Sequence, residues 1–109
     1  MEQFILVFST VPSISRARRL ANFLLKKRLA ACINISTPVE SHYHWKGKIE
    51  KAREFLLFIK TRKSLFGRLE KTLKQHHPYE VPEIISIPIQ KGSGSYLRWI
   101  SAETAGGKD

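Results

Sequence analysis

Apolar residues recur along the chain with two different periods, which predict strands and helices. Short apolar runs are typical of strands, whereas apolar positions three and four residues apart are typical of amphipathic helices. The strand-like runs lie at 4–8, at 31–35 with a continuation at 39–45, at 48–50 leading into 55–59, and at 84–89; helical stripes lie at 17–24 and 65–73, and a shorter helix is predicted over 96–102. The predicted order is therefore strand, helix, strand, strand, helix, strand, with a short helix at the end.

Residues at the ends of these elements support the same boundaries. Pro78 is expected to end the second long helix, because the residue before a proline avoids helical geometry. Ser64 is expected to cap the start of that helix with its hydroxyl. Pro88 places the last strand at an edge of the sheet. The first helix is expected to carry the basic residues 26–28 in its last turn.

A Lys-Gly pair at 46–47 predicts a two-residue hairpin turn. Glycine tolerates the positive φ that such turns need. With that turn, Trp45 would face Lys48, and Glu40 would face Arg53 as an opposite-charge pair. The sequence therefore predicts a long hairpin in the middle of the chain.

This order of elements predicts an α+β fold of the ferredoxin-like βαββαβ type, a four-stranded antiparallel sheet with two helices on one face and a short C-terminal helix. The strand runs at 4–8 and 55–59 are apolar on both faces. Two helices cover only one face, and a face that meets water should alternate to polar residues. Leaving apolar area in water costs roughly 25 cal/mol per Å². We therefore predict that another subunit covers the second face.

The length of the chain allows one domain, since single domains are most often about 100–150 residues long. We place this domain at 1–103 and predict a flexible tail at 104–109. No apolar run reaches the roughly 20 residues of a membrane-spanning helix, and the acidic start predicts no export signal. The single cysteine, Cys32, cannot form an internal disulfide. These features predict a cytoplasmic protein without a membrane partner.

The chain carries 19 lysine and arginine residues against 9 aspartate and glutamate residues, a net charge of +10. Such a charge is typical of proteins with acidic partners such as nucleic acid, and aromatic residues on a similar sheet bind RNA in RNA recognition motifs. However, most of the basic residues fall on predicted helix surfaces, where charge commonly serves solubility. The sheet face that would stack bases is also the one predicted to be covered. Nucleic-acid binding is therefore an alternative and not the main prediction.

Histidines occur in two groups that could bind a metal ion, since imidazole is the commonest metal ligand in proteins. His76 and His77 end the second helix, but adjacent histidines point in different directions, so a capped helix end is the alternative interpretation. Glu40, His42 and His44 project from one face of a strand, and for these we favour an exposed hairpin face. Spacing alone therefore leaves both metal sites open.

No residue pattern of the chain points to a reaction. Cys32 has no neighbour that marks it as activated and is expected to behave as a small buried apolar residue. The sequence has no phosphate-binding glycine loop and no nucleophile motif. We therefore predict no catalytic residue and no enzyme activity.

Five motifs are spread over nearly the whole chain, from the first strand to Ile100. They are Leu29-Ala30-Ala31-Cys32-Ile33-Asn34; Ser41-x-Tyr43-x-Trp45-x-Gly47-Lys48-Ile49-Glu50; Glu54 with Ile59-Lys60-Thr61; His77-Pro78-Tyr79-Glu80-Val81-Pro82-Glu83-Ile84; and Tyr96-Leu97-x-Trp99-Ile100. Together and in this order they resemble the CutA family of divalent-cation tolerance proteins. The resemblance implies a ferredoxin-like fold in a tightly packed homotrimer, with the long hairpins between subunits, and a role in tolerance to copper and other divalent metal ions. The similar architecture of PII-type trimeric signalling proteins makes a ligand sensor between subunits, or a scaffold, the alternative.

The resemblance also implies particular residues. Copper ligation has been proposed at the family's histidine-proline-tyrosine segment, so His76 and His77 are the predicted ligands of a divalent metal ion, with copper as the candidate. The family's first-strand cysteine corresponds here to Ser9, a poorer ligand for soft copper(I), which predicts weak binding. A second predicted site is a cleft at the subunit interface, lined by Tyr43, Trp45, Glu54, Lys60, Tyr79, Glu80 and Trp99.

Overall fold

The structure of the protein, a computed structural model, describes residues 2–107. The strands are β1 (Phe4–Val11), β2 (Cys32–Ile35), β3 (Val39–Trp45), β4 (Lys48–Arg62) and β5 (Ile85–Ile89). The helices are α1 (Ile14–Lys26), α2 (Phe66–His76) and α3 (Gly94–Ala102), and a 3-10 turn at Lys63–Leu65 precedes α2. Every helix in this part of the chain is too short or too polar to traverse a lipid bilayer.

The strands form one antiparallel sheet in the order β2-β4-β1-β5, and β3 pairs with the first half of β4. This is the ferredoxin-like arrangement, so the predicted fold class is confirmed. The four predicted strands are β2, β4, β1 and β5, and the segment that resumes after Pro38 forms an additional strand, β3. β5 pairs only with β1 among the described strands, which places Pro88 on an edge strand as predicted.

The hairpin formed by β3 and β4 has the predicted register. Trp45 pairs with Lys48, and Glu40 pairs with Arg53. Both turn residues have a positive φ, 50° at Lys46 and 79° at Gly47, a geometry that matches the twist of the two strands. β4 is 15 residues long, so at about 3.3 Å per step it spans about 46 Å. Its first half, which pairs only with β3, forms with β3 what we call the hairpin arm.

One face of the sheet and the two long helices enclose the hydrophobic core. Alternate residues of β1 and β4 point toward the helices, and α1 and α2 contribute apolar residues at the predicted spacing of three and four. The buried core residues are Ile5, Val7, Val11, Ala17, Leu20, Leu24, Leu29, Ala30, Leu57, Ile59, Leu65, Leu69 and Leu73. The helices therefore cover a single face of the sheet.

The opposite face of the sheet is also apolar. Since strand residues alternate between the two faces, this face carries the residues that lie between the core positions. They are Phe4, Leu6, Phe8, Leu56, Phe58, Ile85, Ile87 and Ile89, and we call them the open face. All are at least partly accessible in the single chain; Ile85 is 54% exposed and Ile87 is 48% exposed. The prediction of a sheet that is apolar on both faces is confirmed.

The start of α2 and the end of α1 differ from the sequence predictions. Ser64 does not cap α2, because the 3-10 turn places it before the helix, which begins at Phe66 without a side-chain cap. The Ser64 hydroxyl instead accepts a hydrogen bond from Arg62 Nη1 at 3.2 Å. α1 ends at Lys26, since Arg28 has a left-handed φ of 59°. Thus Arg28 lies beyond the last turn of α1.

Arg62 holds the residues that follow α3. Its side chain is buried, with Nε donating to Thr104 Oγ1 at 2.8 Å and Nη2 donating to the carbonyl oxygen of Ala105. The Ala105 N–H donates to the Arg28 carbonyl at 2.8 Å. The packed part of the chain therefore extends at least to Ala105, beyond the predicted domain end at residue 103. Residues 108 and 109 of the predicted tail lie outside the described residues.

Candidate functional site

His77 anchors the segment 77–84, which connects α2 to β5, to the end of β1. The carbonyl oxygen of Thr10 can only accept, so His77 Nε2 donates to it, at 2.7 Å. The Tyr79 N–H donates to His77 Nδ1 at 3.1 Å. Both ring nitrogens are therefore used within the chain, and the ring is the neutral tautomer that carries its proton on Nε2.

The surroundings of His77 favour this neutral form. Partial burial is the main cause that lowers the pKa of His77 below its ordinary value of 6.5. The hydrogen bond to Thr10 and the charge of Glu54 act in the opposite direction, and the charge of Arg16 adds to the lowering. Protonation would also turn Nδ1 into a donor that faces the Tyr79 N–H, which breaks that hydrogen bond.

We expect His77 to make the protein less stable in acid. The unfolded chain takes up a proton on this ring near pH 6.5, whereas the folded chain does so only at lower pH. The contribution of His77 should therefore be fully present above pH 6.5 and fall as the pH decreases through its folded pKa. Urea unfolding from about pH 7.5 to about pH 5 measures this loss. The loss of unfolding free energy should be smaller in His77→Gln than in the wild type. The exposed control His44→Gln should show the same loss as the wild type. Equal losses in the wild type and His77→Gln contradict the role of His77 in acid sensitivity.

His76 lies on the surface beside α1. Its ring centre lies 4.4 Å from that of Phe23, and it lines a cavity together with Arg16 and Arg19. Two guanidinium groups would repel a divalent cation at His76. Within residues 2–107, no three His, Cys, Asp or Glu side chains lie close enough to hold a metal ion together. Metal binding by His76 and His77 stays a prediction, and at His77 the ion would have to displace one of the two hydrogen bonds.

The other histidine group lies on the hairpin arm. His42 Nε2 is 2.7 Å from Glu40 Oε2, and both side chains are exposed. His44 is exposed nearer to the turn. An exposed Glu-His pair on the surface of a hairpin is the interpretation that the sequence favoured.

Glu54 and Tyr79 form one part of the predicted cleft. Glu54 is only 7% exposed, and its Oε2 accepts a hydrogen bond from the Tyr79 hydroxyl at 2.7 Å. Burial, followed by this hydrogen bond and the charge of Glu54, raises the pKa of Tyr79 far above its ordinary value, and Tyr43 adds a smaller effect. The Tyr79 hydroxyl therefore remains a proton donor. By alternation along β4, Glu54 lies on the same side of the sheet as the open face.

Lys60 and Trp99 belong to a second group toward the other end of β4. Lys60 Nζ donates to Asn34 Oδ1 at 2.7 Å and lies 6.0 Å from the centre of the Tyr96 ring. Tyr96 stacks on Trp99 with the ring centres 5.5 Å apart, and both rings are partly exposed. The group presents an amine and two aromatic surfaces. The predicted cleft did not include Asn34 and Tyr96, although both lie in the family motifs and the spacing of three between Tyr96 and Trp99 on a helix favours a stacked pair.

A single protomer does not bring the seven predicted cleft residues together. Glu54 and Lys60 are six residues apart on β4, about 20 Å at about 3.3 Å per residue. Trp45 lies at the turn of the hairpin arm. Glu80 lines a surface depression with Tyr79 against α2. One continuous cleft would therefore need a second copy of the chain.

Ser9 lies in the core and not at the surface. It is fully buried, and its Oγ has no hydrogen-bond partner among the described residues. A metal ion could reach this position only if the sheet and the helices separated. Cys32 lies in β2 near Asn34, with 3.9 Å between Sγ and Oδ1. Ser9 therefore lies in the core, whereas Cys32 lies on a different strand and is partly accessible.

Three comparisons with known proteins bear on the family. A family model described as CutA1 divalent ion tolerance protein matches residues 5–103. The protein "Protein CutA, chloroplastic" of Arabidopsis thaliana is 44% identical over 100 residues, which make up 92% of this chain and 55% of that protein. The chain therefore spans about half the length of this plant relative. "Divalent-cation tolerance protein CutA" of Thermus thermophilus is 42% identical over 104 residues, 95% of this chain and 99% of that protein.

The fold agrees with these sequence matches. The crystal structure of CutA1 from Oryza sativa superposes with a TM-score of 0.93 at 42% identity, and the match covers 95% of each chain. The same ferredoxin-like order of strands and helices thus underlies the five motifs. The chain accordingly belongs to the CutA1 divalent ion tolerance protein family, as its motifs indicated.

Proposed function

We propose that the chain acts in tolerance to divalent cations as a homotrimer that binds metal ions weakly. The observation that supports the assembly is the open face, a continuous set of apolar side chains that α1 and α2 leave uncovered. Covering this face between copies would contribute roughly 25 cal/mol per Å² of apolar area. A closed ring of three copies lets each chain cover its open face without leaving a surface for further growth. The names of the relatives support the role in tolerance to divalent ions.

His76 is the better candidate of the two predicted metal ligands. In the described part of the chain it contacts the Phe23 ring and forms no side-chain hydrogen bond, whereas both nitrogens of His77 are occupied. Because His76 offers a single imidazole and the charges of Arg16 and Arg19 repel a cation, the metal ion should bind weakly. Copper is one candidate for this ion. His77 would join only after the segment 77–84 had moved.

Calorimetric titration of copper and zinc tests this ligand assignment. We expect His76→Ala to weaken binding by about tenfold, which is about 1.4 kcal/mol. The control variant His44→Ala removes an exposed imidazole of the hairpin arm and should bind like the wild type. Equal affinity of His76→Ala and the wild type contradicts the role of His76.

Two further measurements test the function as a whole. Native mass spectrometry of protein purified without chelators should show three copies with bound metal, and a lone protomer at micromolar concentration contradicts the trimer. Cells that lack their own family member should grow at higher copper concentrations when they express this chain. Growth that does not depend on the chain contradicts the proposed role in tolerance.

Ligand sensing of the PII type is a second candidate, favoured by the two separated groups on β4. Glu54, which contacts Tyr79, and Lys60, which lies near Tyr96, are on the same strand but too far apart to hold one small molecule. In the proposed trimer, the group of one copy could complete the group of its neighbour. A small organic molecule that the trimer retains in native mass spectra favours ligand sensing over metal binding. A trimer that acts only through protein partners would instead be a scaffold.

Absence of nucleic-acid binding, absence of enzyme activity and a cytoplasmic location stay predictions. In the proposed trimer the open face is covered, so it could not stack bases. Filter binding at a series of salt concentrations tests the absence of nucleic-acid binding. An affinity for nucleic acid that falls steeply with salt concentration would support a nucleic-acid partner. The location differs among relatives, since the Arabidopsis protein is named chloroplastic and the protein of the Archaeoglobus fulgidus structure is named periplasmic.

A further inference from the structure

A cavity of about 180 Å³ lies between α1 and the end of α2, separate from the two groups on β4. Its floor is apolar, with Val11 and Leu20 almost fully buried and Phe23 partly buried. Its rim carries the side chains of Arg16 and Arg19. The cavity therefore combines an apolar interior with two cations at its opening.

The spacing of residues on α1 produces this combination. Arg16, Arg19, Leu20 and Phe23 are separated by three, one and three residues, so they share one side of the helix. Leu20 also belongs to the buried stripe of α1 that faces the core, so this side of the helix borders the core. From the sequence, both arginines were assigned to a solvated helix surface. Both side chains are exposed as predicted, and they also lie at the edge of the cavity.

Both guanidinium groups are available to a ligand. Within residues 2–107, neither Arg16 nor Arg19 forms an ion pair or a side-chain hydrogen bond. α1 contains no acidic residue. Glu70, the acidic residue of α2, is paired with Lys74 at 3.3 Å. The charges on the flanking helices therefore leave a positive potential at the mouth of the cavity.

We propose that this cavity binds a compact organic anion, a carboxylate on an apolar body about the size of one aromatic ring. The planar guanidinium group binds a carboxylate through two parallel hydrogen bonds. A protein cavity of about 150 Å³ holds benzene, so the volume fits a body of that size. The apolar floor disfavours inorganic phosphate, which would lose water there without gaining hydrogen bonds. His76, the proposed metal ligand, also lines this cavity, so the anion is tested without metal ions present.

Calorimetric titration of the full chain with benzoate, in metal-free buffer, tests the proposal. Benzoate should bind at least tenfold more tightly than acetate, which lacks the apolar body, and at least tenfold more tightly than benzyl alcohol, which lacks the charge. It should also bind more tightly than inorganic phosphate. Benzoate that binds no better than any one of these three probes overturns the proposed ligand class.

Two charge-matched variants test the place of binding. Arg16→Gln/Arg19→Gln should weaken benzoate binding at least tenfold, whereas Arg18→Gln/Lys26→Gln should change it less than twofold. Both variants remove two positive charges from exposed positions of α1, so a general effect of net charge would weaken binding equally in both. Equal weakening, or no effect of Arg16→Gln/Arg19→Gln, overturns the assignment to this cavity. Circular dichroism melts should match the wild type, because all four side chains are exposed.

Discussion

Replacing Ile87 by glutamate is expected to separate the proposed trimer into single protomers. Ile87 is 48% exposed in the single chain and lies on the open face opposite Leu6, so the fold of the protomer should tolerate the change. In the assembled protein the new carboxylate would be buried among apolar side chains, at an effective cost of about several kcal/mol for each copy. Sedimentation velocity at about 10 µM, a concentration in the range of ordinary affinities, should then show the mass of one chain.

The neighbouring Ser86→Glu variant is the matched control for Ile87→Glu. Ser86 is exposed on the same edge strand, but it pairs with Val7 and lies on the other face of the sheet. The variant adds the same charge without placing it on the open face, so it should sediment like the wild type. A trimer that survives Ile87→Glu would show that the open face is not the subunit interface.

Replacing Arg62 by alanine is expected to lower the free energy of unfolding by about 3 kcal/mol, because hydrogen bonds from a charged group contribute about 1.5–3 kcal/mol each. Arg62 is 7% exposed. Its guanidinium group donates to Thr104 and Ala105, and it lies 3.5 Å from Glu2 Oε1. Without it, the partly buried carbonyl oxygen of Ala105 loses its partner, and the C-terminal segment loses its attachment to β4.

Urea unfolding at one fixed protein concentration measures the effect of Arg62→Ala, since the stability of an oligomer depends on concentration. Arg53→Ala is the control, because Arg53 lies on the same strand and is exposed on the hairpin arm. It should change the free energy of unfolding by no more than about 0.5 kcal/mol. Similar losses in the two variants would contradict the structural role assigned to Arg62.

Features that depend on local periodicity could be predicted from the sequence. The turn at Lys46 and Gly47 fixes the hairpin register, because a two-residue loop allows only one pairing of the flanking residues. The apolar character of both sheet faces follows from the uninterrupted runs in β1 and β4. These rules act over a few residues, so no knowledge of the tertiary structure was needed.

Features that depend on distant contacts could not be predicted in this way. His77 and Thr10 are 67 residues apart in the chain, and Arg62 and Thr104 are 42 residues apart. The sequence therefore predicted metal ligands in the histidine segment, which stays a prediction, but did not predict the two hydrogen bonds of the His77 ring. The separation of Glu54 and Lys60 into two groups within one protomer likewise depends on three-dimensional placement, and the cleft between subunits stays a prediction.

The hairpin arm leaves a length of ribbon with no support from the core. Residues 48–53 pair only with β3 and are almost all exposed in the single chain. A two-stranded ribbon is at best marginally stable in water by itself. In the proposed trimer, neighbouring copies would protect this ribbon, so a newly synthesised chain would be open to proteases there until it assembled, and survival of the protein in the cell would depend on how much of it is made.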